Sequence, residues 1–192
     1  MLSTLPTVKA RLEIPAVDIT HDDLLTSFIA AVSAAFDKKC NRTFGRAEVT
    51  QEFPADQTEI ILTSYPYQSI TVFSLKSTEA EGWLDQPEPE FLVRNSCVIS
   101  LPTPLGTSRQ QARLVYTGGY VVPGDTISPG MTPLPDDLQQ AAIEQVASWF
   151  QNRDKLGLEV HWPKGGVYQR LSQLPLLPQV ESVLQPYRRW SL

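Results

Sequence analysis

No other stretch of this chain demands as much of its surroundings as PLPDDLQQAAIEQVASWFQNRD, residues 133–154. Placed at 100° per residue, Leu138, Ala142, Ile143, Val146, Trp149 and Phe150 cover an arc of roughly 140°, wider than a helix needs against one neighbour. The pattern predicts a helix over about 135–155 packed between two other elements. Pro135 suits its first position, Asp136 and Asp137 suit the positive end of its dipole, and Gly157 supplies a stop after Lys155. Gln140, Glu144 and Gln151 fall on the opposite side.

The neighbours come from the start of the chain. A short helix is expected over about 3–12, with Pro6 tolerated in the first turn and Pro15 closing the segment. A longer one is expected over about 21–39, where Leu25, Phe28, Ile29, Val32 and Phe36 form a core-facing stripe. Thr20 and Asp23 have capping-box spacing, Asp22 and Asp23 lie at the positive end, and Lys38 and Lys39 at the negative end. After CNRTFG the chain changes character. Segments EVTQEF, EIILTS, SITVFSLKS, EFLVRN, SCVISL and ARLVYT read as strands of an antiparallel sheet over about 46–117. EGWLDQPEPE and PTPLGTSRQQ read as its loops, because their prolines do not suit a central strand. Beyond Gly157, a short helix near Gln179 to Leu184 is the best structured candidate. The expected division is a core over 1–160 and a C-terminal arm over 161–192.

A length of 192 residues suits one domain with attached arms. The net charge of −5 argues against a protein that grips duplex DNA through a basic footprint. Charge is uneven, because residues 164–192 carry Lys164, Arg170, Arg188 and Arg189 against Glu181 alone. Cys40 and Cys97 lack zinc-knuckle or redox-pair spacing and read as buried free thiols. The N-terminus has no signal-peptide pattern and no stretch reaches transmembrane length, so a soluble protein made in a cytoplasm is expected.

Gly118 and Gly119, in YTGGYVVPGD, invite a phosphate-binding reading. A dinucleotide fingerprint needs a third glycine and a helix directly after the loop, and a P-loop needs Gly-Lys-Ser/Thr. Neither pattern follows, so the pair reads as a turn that exploits positive φ. PKGGVY, residues 163–168, lacks the same context and reads as a joint. His21 and His161 stand alone, so no metal site is expected, and His21 reads as a first-turn residue. No G-x-S-x-G elbow is present, and Asp22/Asp23 and Asp136/Asp137 are explained by helix dipoles. Neither catalytic residues nor a cofactor are expected. In the tail, PYRRW places Tyr187 and Trp190 around Arg188 and Arg189, residue types common at protein interfaces. Folding back onto the chain's own core and docking on a neighbour are equally compatible with it.

The order of HDDLLTSFIAAVSAAFDKKCNRTF, YPYQSITVFSL, LVYTGGY, PLPDDLQQAAIEQVASWFQNRD and LPLLPQVESVLQPYRRW resembles the tailed-phage head-tail connector, or head-completion adaptor, family. The resemblance implies an α+β fold: a small helical bundle with an inserted antiparallel β region and an extended C-terminal arm. It implies a structural protein of the virion neck, made in the host cytoplasm and assembled as a dodecameric ring below the portal protein. Genomic DNA would pass through the lumen without sequence-specific binding, and a stopper or tail protein would dock on the far side. An acidic body suits such a channel. The family's C-terminal segment implies contacts with the portal or adjacent subunits at Leu176, Leu177, Tyr187, Arg188, Arg189 and Trp190. The loops 77–90 and 102–111 are expected extras. A stopper or tail terminator is the structural alternative, which the helix-sheet-helix order disfavours; a small hydrolase or nucleotide-binding enzyme is the alternative from another class.

Overall fold

A computed structural model describes residues 1–155, 159–160, 169–170 and 175–189. It is α+β, with helices at the two ends of the chain and strands between them. Chain contacts divide it into two compact units. One comprises Met1–Cys40 and Pro135–Arg188, the other Asn41–Leu134 and Arg189–Leu192.

The first unit is helical. Helix α1 spans Leu5–Arg11, α2 Asp22–Cys40, α3 Asp136–Gln151 and α4 Pro178–Leu184. Thr4 and Thr7 form the capping box of α1, and Pro6 occupies its first turn, where the missing N–H leaves no helical bond unmade. The entry to α2 differs from expectation. The Thr20 N–H donates to Asp18 Oδ1 at 2.9 Å. Thr20 is thus engaged by an acid two residues earlier and does not form the box with Asp23.

The stripe of α2 is as expected: Leu25, Ile29, Val32 and Phe36 are buried, and Phe28 lies at the margin with its ring edge-on to Trp149. Helix α3 packs against α1, α2 and α4, one neighbour more than its apolar arc predicted. Its helical turns end at Gln151, with Pro135 in the capping position and a 3₁₀ turn over Arg153–Lys155. Gly157, the expected stop, lies outside the described residues. His21 stands just before α2 and meets the Phe150 ring at 5.2 Å.

The second unit holds two antiparallel sheets where the sequence suggested one. β1 (Ala47–Pro54), β7 (Gln111–Gly118), β3 (Tyr67–Lys76) and β4 (Leu84–Gln86) form the larger, in that spatial order. β2 (Glu59–Ile61), β6 (Val98–Ser100) and β5 (Leu92–Arg94) form the smaller. β4 falls inside EGWLDQPEPE, expected to be loop; its short pairing with the end of β3 stops before Pro87. One core joins the inner faces of both sheets, including Phe53, Ile60, Phe73, Ile99, Leu114 and Tyr116. Alternation along β7 is strict, with Ala112, Leu114 and Tyr116 buried and Arg113, Val115 and Thr117 half-buried on the other face. Outside both units' main elements, β8 (Glu159–Val160) pairs with β9 (Gln169–Arg170).

A polar network ties the sheets of this unit together. The buried Tyr116 hydroxyl accepts from the backbone N–H groups of Thr63 and Ser64, at 3.0 and 2.9 Å. Gln51 donates to the Ile61 carbonyl and accepts from the Thr63 N–H. The glycine pair lies directly beyond. A Cβ on Gly118 would stand 2.3 Å from the Ser64 carbonyl oxygen, and one on Gly119, at φ 103°, 2.6 Å from that of Gly45. Positive φ was the expected reason for glycine here, and it holds at Gly119. At Gly118 the reason is the close approach of another backbone.

Candidate assembly interface

The C-terminal segment was the expected contact surface, and its root is fixed by a residue that sequence patterning passed over. Gln145 is fully buried on α3. Its amide nitrogen donates to the Pro175 carbonyl at 3.2 Å, and its amide oxygen accepts from the Leu177 N–H at 2.8 Å. Trp149 Nε1 adds a bond to the same Pro175 carbonyl at 3.4 Å. A glutamine amid apolar positions reads from sequence as a solvent-facing residue, yet here both ends of its amide are matched. Such a group is costly to bury unless both are satisfied.

From that root the chain enters α4, where Pro178 fills the first turn and Val180 and Leu184 are buried. The Cys40 thiol donates to the Leu184 carbonyl at 3.6 Å, and Lys39 pairs with Glu181 at 2.7 Å. After α4 a 3₁₀ turn carries Tyr187, whose hydroxyl bonds both oxygens of Asp137 at 2.9 Å. Asp137 therefore serves two ends: it accepts from the Leu138 N–H in the first turn of α3 and holds the tail.

The expected contact residues are thus placed differently from one another. Leu176 and Leu177 are half-buried beside the Gln145 bonds, and Tyr187 is half-buried with its hydroxyl on Asp137. Arg188 is exposed. Arg189 belongs to the second unit, where it donates to the Ile61 carbonyl at 2.9 Å. Trp190 lies outside the described residues, as do His161 and PKGGVY. For Tyr187 the structure shows folding back onto α3.

The second unit has a depression of about 490 Å³, lined by Glu90, Phe91, Leu92, Ser100, Leu101 and Pro102. Its Ser100 hydroxyl accepts from Arg94, which also pairs with Glu59. Arg42 is buried elsewhere in this unit, with its guanidinium over the Tyr65 ring and a bond to the Tyr65 carbonyl. That arrangement offsets part of the cost of burying the charge through aromatic faces and a backbone oxygen, while the guanidinium Nε has no hydrogen-bond partner. Cys97 is half-buried, a correction to the expected burial of both thiols, while Cys40 is enclosed by α2 and α4. Among the described residues no three His, Cys, Asp or Glu side chains converge as metal ligands, and no helix is long and apolar enough to cross a membrane.

Comparison with known proteins gives these features a context. No curated protein matches the chain. Among solved structures, a chain from the neck of an empty GTA particle computed with C6 symmetry superposes with a TM-score of 0.65 at 14% identity, covering 97% of this chain and 89% of that one. A chain from the virion of a native gene transfer agent (GTA) particle gives 0.60 at 16%, covering 93% and 84%. A third, from the neck of a native GTA particle computed with C12 symmetry, gives 0.56 at 16%, covering 98% and 90%. At such identities these likenesses speak for the fold. The family model described as "Head completion protein" matches residues 2–190, nearly the whole length, and the chain belongs to that family.

Proposed function

We propose that this chain is a ring-forming structural adaptor of the virion neck, seated between the portal and the tail or a stopper protein. As a head completion protein it is a structural component of the head-tail junction. The observation that carries this reading is the family match from residue 2 to 190. The necks containing the similar folds were computed with six-fold and twelve-fold symmetry, which supports a closed ring, and we assign twelve copies to it.

The net charge of −5 fits a lumen through which DNA slides. Like charge opposes the counterion release that holds DNA on basic surfaces. The glycine pair that could have suggested a nucleotide site is explained by backbone crossing. Within the tail, Leu176, Leu177, Tyr187, Arg188, Arg189 and Trp190 are the proposed contacts to the portal or to adjacent subunits. Arg188, exposed at the end of the α3-anchored segment, is the first of these to test.

Light scattering together with negative-stain imaging over a range of protein concentrations tests the ring. Closed rings in the purified chain, or rings formed only when portal is added, are the expected result. A chain that remains monomeric with and without portal overturns it. Deleting residues 186–192 should weaken ring or portal association while far-UV circular dichroism stays unchanged.

A further inference from the structure

The connection between α1 and α2 exposes an apolar surface that the fold does not use. Val17 is 89% exposed and Ile19 76%, and Leu24 on the first turn of α2 is 37% exposed. These side chains are carried on a braced loop. The buried Lys9 ammonium donates to the Ala16 carbonyl at 3.4 Å and pairs with Asp22 at 2.6 Å. The Asp18 N–H bonds the Pro15 carbonyl, and the Asp18 carboxylate accepts from Thr20. Two large aliphatic side chains held outward on an ordered turn are a docking feature that is already pre-organised.

Charge indicates what it docks on. Glu13 and Asp23 are the exposed acids that flank this stretch in the chain, while Lys9 is buried and already paired with Asp22. The opposite end of α2, about 28 Å away for a helix of 19 residues, carries exposed Lys38, beside Lys39, which is already paired with Glu181. One turn before Lys38 lies exposed Ala34, with Ala30 and Ala31 a further turn back. A single helix therefore carries exposed Asp23 next to the apolar loop at one end and exposed Lys38 with small side chains beside it at the other. Head-to-tail rings join two different surfaces of the same chain, and these two match in charge and in relief.

We infer that the Val17–Ile19 loop of one copy docks on the C-terminal end of α2 in the next copy, with Asp23 facing Lys38. This rests on the ring reading above. In the contact, Val17 and Ile19 cover the alanine surface, and the charges around them fix direction and register.

The test uses the full-length chain, with ring formation read by light scattering and negative stain across protein and salt concentration. Asp23→Lys and Lys38→Glu should each raise the concentration needed for rings by roughly tenfold or more, because like charges are brought together. Mixing the two single variants should restore rings of alternating copies, and so should the double variant. Val17→Ser with Ile19→Ser should abolish rings at an unchanged melting temperature, since both residues are exposed. Wild-type rings accompanied by variant rings of normal stability overturn the contact and leave the ring reading standing. If those variants then fail to complete heads in infection, the patch belongs to a different neck protein. A wild type that forms no rings with or without portal overturns the ring and this contact together.

Discussion

The helical and β units solve the same problem, burying polar backbone next to an apolar core, in different ways. In the β unit the solution is internal and crowded. Tyr116 and Gln51 reach across to the Ile61–Ser64 segment, and Gly118 allows that backbone to pass at a distance no side chain permits. In the helical unit, each α-helix satisfies most of its own backbone, so the polar ties between elements are few and mostly peripheral. Arg11 to Glu144, Lys39 to Glu181 and Tyr187 to Asp137 are all open to solvent, while Gln145 on the tail and the Cys40 thiol on the Leu184 carbonyl lie deep. Helices need partners for their faces; strand ends need partners for their peptide groups. The β unit should therefore be brittle to single changes and the helical unit graded.

That contrast can be broken at its extreme first. Gly118→Val should destabilise the protein by about 3 kcal/mol or more, measured by urea unfolding, because the clash is with backbone that cannot swing aside. A variant of near wild-type stability would show that the crossing can relax, and the β unit would not be brittle. Tyr116→Phe should cost about 1–3 kcal/mol by leaving the Ser64 N–H without its partner, with little change in volume. Gln145→Leu should cost about 1–2 kcal/mol. Its signature is local: hydrogen exchange should speed in α4 and spare β7. Equal acceleration in both would erase the distinction between the units.

Smaller effects sharpen the comparison. Lys39→Ala removes an ion pair whose partners are both more than 40% exposed, so the loss should stay below about 0.5 kcal/mol. The Glu144 carboxyl is held below its ordinary 4.5, chiefly by the hydrogen bond from Arg11. Its contribution is complete above that ordinary value and is lost as pH falls through the lowered one. Acid titration of wild type against Arg11→Met should therefore show a small difference in melting temperature near neutral pH that closes as pH falls through the lowered value. A difference that persists in acid would mean Arg11 acts through packing instead.

What the sequence made legible follows the same division. The stripe on α2 and the arc on α3 could be read because helical burial repeats over many residues, and Leu25 through Phe36 behave as their spacing requires. The strands could be located, but their partition into two sheets could not. β2, β5 and β6 are three residues each, too short for alternation to show which face turns inward. β4 was hidden because Pro87 and the neighbouring acids dominate its segment. Of the interface, Tyr187 stood out by residue type, and its partner Asp137 had a sufficient explanation in the helix dipole. Gln145 gave no signal, since its burial depends on a segment thirty residues downstream that carries no motif.

The geometry of that glutamine has a consequence for variation in the tail. Its amide meets the carbonyl of residue 175 and the N–H of residue 177, the two groups an extended chain offers to a neighbouring strand. Helix α3 thus supplies one rung of a ladder, with a side chain standing in for a peptide. The grip reads main chain only. Proline is harmless at position 175, where only the carbonyl is used, but would cut the rung at 177. Between them, the side chain at 176 takes no part in the grip and is left to answer to whatever the tail must touch.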